Sequence, residues 1–133
     1  MNWRIFPLGL LAAGLSAAPA CDALAQADPI QRTTLQTQPF PGRPLHTLTM
    51  RVEVAPGAEV APHTHPGIEM AYIAAGHATV RIARGPATPL APGGSFSVPP
   101  HTVHSVLSDG AAPLVIISTY VVEMDLPLAT PAP

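Results

Sequence analysis

Eighteen prolines spread through a chain of 133 residues constrain the fold more than any other feature. Proline lacks a backbone donor and its ring clashes inside a helix, so long helices are disfavoured. Turns, strand ends and sheet edges accept it. Glycine joins proline at regular intervals: Ala55-Pro56-Gly57, Pro66-Gly67, Ala75-Gly76-His77, Arg84-Gly85-Pro86 and Ala91-Pro92-Gly93-Gly94 all read as turns. Between them lie short segments with period-2 alternation or β-branched residues. Strands are expected over residues 45–52, 60–65, 68–75, 78–83, 95–98, 104–107 and 113–123. Short strands at this spacing indicate an all-β sandwich or barrel. Residues 26–44 read as a polar lead-in, residues 45–123 as the folded barrel, and residues 124–133 as a loose proline-rich tail. The length suits one domain.

Composition narrows the function classes. The chain is 47% hydrophobic and 11% charged, with a formal net charge of −2. Its six basic residues are scattered arginines and there is no lysine, so no basic face is available for nucleic acid. Residues 1–25 read as a signal peptide. Arg4 supplies a positive end, residues 5–18 an uncharged apolar core, and Ala23-Leu24-Ala25 a small-x-small cleavage site before Gln26. The apolar run falls short of the roughly twenty residues a membrane span needs. The expected location is therefore periplasmic or secreted. Cys21, the single cysteine, opens an alternative in which the protein is a lipid-anchored lipoprotein. Cleavage after Ala25 leaves a domain with no thiol for disulfide or thiolate chemistry.

Four of the six histidines fall in two groups, His63-Thr64-His65 and His101-Thr102-Val103-His104. Residues two apart on a strand share a face, so His63 and His65 aim into one space. Glu69 follows a turn and can face back toward them. Imidazole and carboxylate suit Zn, Fe, Mn, Ni or Cu. A single histidine in isolation reads more simply as a surface or core residue; the clustering is what raises ligation.

These residues resemble the cupin family. The first motif stands as Gly57, five residues, His63-Thr64-His65, three residues, Glu69, six residues, Gly76. The second stands as Gly93, five residues, Pro99, a short loop, His104, three residues, Ser108. It departs from the family at three places: His101 replaces a loop glycine, Ser108 the closing asparagine, and Gly94 a common aspartate. The resemblance spans residues 45–123. It implies a small jelly-roll-like β-barrel with one divalent transition metal (Fe, Mn, Ni, Cu or Zn) held by His63, His65, Glu69 and His104. It also implies a metal-dependent, dioxygenase-like enzyme acting on a small enolic or chelating substrate, with Glu69 as the catalytic proton acceptor. The alternative is a non-catalytic periplasmic cupin that binds a metal or small molecule. Ala71 and Ile73 share the facing of Glu69 and are expected to line the pocket, with Phe96 beside them. His101 is expected either at the pocket mouth or as an exposed loop residue, at a position where a positive φ costs a histidine more than a glycine. Tyr72 is expected to face away, and Tyr120 to lie in the core or an interface. His46 and His77 read as strand and turn residues. The low charge and the β-branched residues 115–122 point to a homodimer.

Overall fold

The computed structural model describes residues 27–133; the expected signal peptide and Cys21 lie outside the described residues. Ten strands form: β1 (Ile30–Pro39), β2 (Leu45–Val54), β3 (Glu59–Thr64), β4 (Gly67–Ala75), β5 (Ala78–Ile82), β6 (Thr88–Leu90), β7 (Ser95–Val98), β8 (His104–Ser108), β9 (Leu114–Glu123) and β10 (Thr130–Pro131). Among the described residues no helix is long and apolar enough to cross a membrane.

The strands make two five-stranded sheets, β1-β2-β9-β4-β7 and β10-β3-β8-β5-β6, with every pairing antiparallel. From β2 to β5 the chain passes from one sheet to the other, back, and across again, and it alternates likewise from β6 to β10. This winding is the jelly-roll expected from the sequence. Prolines inside strands sit where no ladder bond is lost: Pro89 and Pro131 on the short edge strands, Pro39 at a strand end, Pro62 at a bulge.

The core follows from side-chain alternation. On β9, Leu114, Ile116, Ser118, Tyr120 and Val122 are buried, while Ile117, Thr119 and Val121 face outward and are half-buried. On β4, Glu69, Ala71 and Ile73 are buried, and Ile68, Met70 and Tyr72 are exposed. One end of the barrel is closed by Val54, Ile73, Ala78 and Leu114, each fully buried. At the other end the inward positions turn polar, and the site forms there.

Two stretches differ from the sequence reading. Residues 30–39, read as lead-in, form a strand paired with β2 through nine partners, interrupted by a bulge between Thr34 and Gln36. The tail, read as loose, docks on β3: Thr130 and Pro131 pair with Thr64 and His63, and the Ala132 amide donates to the Pro62 carbonyl at 3.0 Å. Both segments are held by backbone hydrogen bonds, which any sequence can make and which leave no hydrophobic pattern.

Candidate metal centre

The two sheets bring four polar side chains to one point. His63 lies on β3, His65 on the crossover between sheets, Glu69 on β4 and His104 on β8. His63 and His104 are direct cross-strand partners. Their register depends on a bulge: three steps on β3 from Val60 to His63 match two on β8 from Val106 to His104. The extra residue switches the phase of β3. Val60 and His63, an odd number of residues apart, therefore both reach the interior cavity.

The ligand atoms of His63, His65 and His104 all lie within 4.8 Å of one another, and the three could hold a metal ion. His63 Nε2 and His65 Nε2 are 3.2 Å apart. Glu69 Oε2 stands 3.1 Å from His65 Nε2 and 3.0 Å from His104 Nε2. Two ligand atoms each ~2.1 Å from one ion and at right angles would be about 3.0 Å apart; tetrahedral angles would put them about 3.4 Å apart. The three observed spacings are close enough for one ion to bridge the atoms.

The other ring nitrogens fix the tautomers. His63 Nδ1 donates to the Ala61 carbonyl at 2.7 Å, His65 Nδ1 to the Leu128 carbonyl at 2.6 Å, and His104 Nδ1 to the Thr102 carbonyl at 3.2 Å. With the proton on Nδ1, each neutral ring turns its Nε2 lone pair inward. Ser118 Oγ donates to Glu69 Oε1 at 2.8 Å, while Glu69 Oε2 is buried with no hydrogen-bond partner. The inner surface is thus a set of acceptors, which a cation satisfies and a hydrocarbon does not.

Electrostatics agree. Burial, and then charge on His104 and His65, pull His63 below the usual histidine range, against the bond to Ala61. Its lone pair is therefore free near neutral pH. Burial pushes the Glu69 carboxyl up, but hydrogen bonds from His104 and His65, which need a proton on Nε2 where a cation would otherwise sit, and from Ser118 outweigh this and hold it well below the usual carboxylate range. Burial, and next the Glu69 charge, push the Tyr120 hydroxyl well up, with Arg32 pulling the other way. Tyr120 keeps its proton, and its ring packs edge-on against His65 with centroids 4.8 Å apart.

The cluster opens into a cavity of about 480 Å³. Met50, Val52, Val60, Phe96, Val106 and Ile116 give it apolar walls, and Arg32, Glu59 and Tyr120 add the ionisable groups beyond the four clustered ones. Phe96 is on the wall. Ala71 and Ile73 share the inward face of Glu69 but lie in the hydrophobic core and not among the cavity residues. The His101 side chain is exposed and away from the wall. Its backbone matters instead: φ is +56°, and its amide donates to the His65 carbonyl at 2.9 Å. The loop keeps the left-handed turn despite a side chain that makes it costly. His101→Gly is accordingly expected to stabilise the fold by about 0.5 kcal/mol and leave metal affinity unchanged. Loss of metal in that variant would place the imidazole in the site.

Four contributions were not legible in the sequence. Tyr120 joins the wall because its cross-strand partner is Glu69, Leu128 orients His65 from the tail, Ser118 holds Glu69, and Arg32 arrives on the unread strand β1. Only β9's alternation carried a signal, since Ser118 and Tyr120 share a face with Leu114 and Ile116.

Comparison with known proteins agrees with this architecture. Similar solved structures include KdgF from Halomonas sp., at 26% identity and TM-score 0.59, covering 72% of this chain and 83% of that one. An uncharacterized conserved protein with a double-stranded beta-helix domain from Klebsiella pneumoniae gives 20% identity and TM-score 0.65, covering 80% and 83%. An RmlC-like cupin from Shewanella frigidimarina gives 22% identity and TM-score 0.58, covering 73% and 79%. No curated protein matches the chain. Residues 50–120 match the family model described as "Cupin domain". That segment runs from the inward methionine of β2 to the tyrosine beside Glu69 and takes in all four residues of the cluster, so the chain belongs to the cupin family.

Proposed function

We propose that the protein is an exported cupin that holds one divalent transition metal through His63, His65, Glu69 and His104 and uses it as a dioxygenase-like enzyme on a small enolic or chelating substrate. The buried Glu69 Oε2, without a hydrogen-bond partner and 3.0–3.1 Å from two Nε2 atoms, carries the metal reading. The cavity beside it carries the substrate reading, because a closed structural site needs no such space. The donor set accepts Fe, Mn, Ni, Cu or Zn.

A bound divalent ion supplies Lewis acidity toward a substrate oxygen. The protein's own residues do the rest. Ala61, Leu128 and Thr102 carbonyls hold the three imidazoles in the ligating tautomer. Ser118 holds one oxygen of Glu69, leaving the other free to ligate or to accept a substrate proton. The apolar wall keeps water from a bound enolate, and Tyr120 keeps a proton beside His65.

One observation favours a second reading, a metal or small-molecule binding protein without turnover. Beyond the ligand set, the wall offers no acid–base pair, only Tyr120, Arg32 and the exposed Glu59. The test is metal analysis of the protein purified without a metal-binding tag, followed by oxygen uptake with enolic substrates. A redox-active ion near one per chain with substrate-dependent uptake supports the enzyme. Bound metal with no uptake selects the binding protein, and no metal after reconstitution with Fe, Mn, Ni, Cu and Zn sinks the metal site and leaves metal-free small-molecule binding. Export is part of the same reading: sequencing the mature protein should return Gln26 at the start, and a lipidated Cys21 would replace it with the anchored form.

The homodimer belongs to this reading too. The outer face of the β1-β2-β9-β4-β7 sheet exposes Ile68, Met70 and Tyr72, each about half accessible (46%, 53% and 50%). Ile117 and Val121 lie directly beside them as cross-strand partners. A contiguous apolar stripe of this kind marks an interaction face. Met70→Glu is expected to shift a dimer to monomer in sedimentation at micromolar concentration. A wild-type protein that sediments as monomer at all concentrations would overturn the dimer.

A further inference from the structure

We propose that Arg32 is a specificity residue that docks a second, acidic group of the ligand whose chelating end meets the metal. This rests on the metal reading above.

Arg32 stands opposite Val52 in the β1–β2 ladder, so its side chain shares the inward face of Val52 and Met50. It lines the cavity with them, and it is the one cationic side chain on that wall apart from the histidines. Among the described residues no carboxylate lies within ion-pair distance of it. By contrast, Arg51, one strand over and facing outward, pairs with Glu53 at 2.9 Å.

A guanidinium fork without a carboxylate partner, solvent-exposed on β1 where that strand lines the cavity, matches a carboxylate, which it binds through two parallel hydrogen bonds. Glu59 lines the cavity from β3, in the opposite sheet, and repels an acid on that side. The two charges therefore give the cavity a direction. A ligand would chelate at the histidines and turn its remote acidic group toward β1. The substrate class is a small acid with an enolic or hydroxy-keto chelating end and a separate carboxylate.

A matched pair of chelators tests this on the Co²⁺-loaded protein. Pyromeconic acid and comenic acid share one hydroxypyranone ring, and only comenic acid carries a carboxylate. Co²⁺ binding is measured first, then each ligand is titrated by calorimetry and by the cobalt visible spectrum. Wild type is expected to prefer comenic acid about tenfold. Arg32→Gln should lose that preference while its affinity for pyromeconic acid stays the same. Arg32→Lys should keep part of it, which separates charge from structure. Equal affinities in wild type, or an unchanged preference in Arg32→Gln, would overturn the Arg32 proposal alone. Failure to bind Co²⁺ would overturn the metal reading and this one together.

Discussion

His104→Ala is expected to raise the dissociation constant for a divalent transition metal by at least about 100-fold. Four-ligand sites in small domains bind with roughly 10–16 kcal/mol, so one ligand's share is about 3 kcal/mol, or a factor of roughly a hundred. His104 is a stringent position because it is buried, is the cross-strand partner of His63, and approaches Glu69 Oε2 at 3.0 Å. Competition with a chromophoric chelator measures the loss. Ser118→Ala provides the scale. It removes only the bond that orients Glu69, and losing such an outer partner costs about 10–100-fold. The expected order is His104→Ala worst, Ser118→Ala intermediate and His101→Gly unchanged. Equal affinity in wild type and His104→Ala would mean the ion sits elsewhere.

Metal binding should also register in stability. A ligand that binds only the folded state adds about 2.7 kcal/mol at a hundredfold excess over its dissociation constant. Wild type should therefore melt higher with metal, and His104→Ala should not respond at the same concentration.

Gly76→Ala is expected to cost about 3 kcal/mol, a large part of the ~5–15 kcal/mol that holds a domain folded. Two effects add. Gly76 has φ +76°, a left-handed conformation costing an alanine roughly 1–2 kcal/mol. A Cβ there would also lie 2.5 Å from the Pro113 carbonyl oxygen and 2.7 Å from Leu114 Cα, both backbone atoms. Forced overpacking of this kind typically costs about 1–3 kcal/mol. Gly57 separates the two effects. It has the same φ of +76° but nothing within 4 Å of its added Cβ. Gly57→Ala should thus lose only about 1 kcal/mol. Denaturant midpoints at matched slope give both values. Equal losses would show that conformation, not the clash with the β9 entrance, makes Gly76 necessary.

The residue types of the site were readable because their spacing is local. His63 and His65 are two apart, and Glu69 lies on a strand whose alternation sets Glu69, Ala71 and Ile73 on one face. The same alternation could not tell cavity wall from closed core. Ala71 and Ile73 sit below the site, in the part of the barrel that the Ile73, Leu114 and Val54 side chains fill. Strand β1 was unreadable for a different reason. Its Gln and Thr residues are nearly all exposed, and it is held by backbone bonds to β2.

The sequence by itself determined an all-β fold, through prolines and glycines that forbid long helices and punctuate short strands. It also determined which side chains offer lone pairs and how far apart they stand along the chain. The tertiary structure alone decided that they converge. Register between β3 and β8 sets His63 against His104 across a bulge, and the sheet-to-sheet crossover swings His65 and Glu69 to meet them. The C-terminal tail supplies the Leu128 carbonyl that turns the His65 lone pair inward, 63 positions away in the chain. The physical reason is common to all three: backbone hydrogen bonding between distant segments sets their register, and it depends hardly at all on which side chains those segments carry.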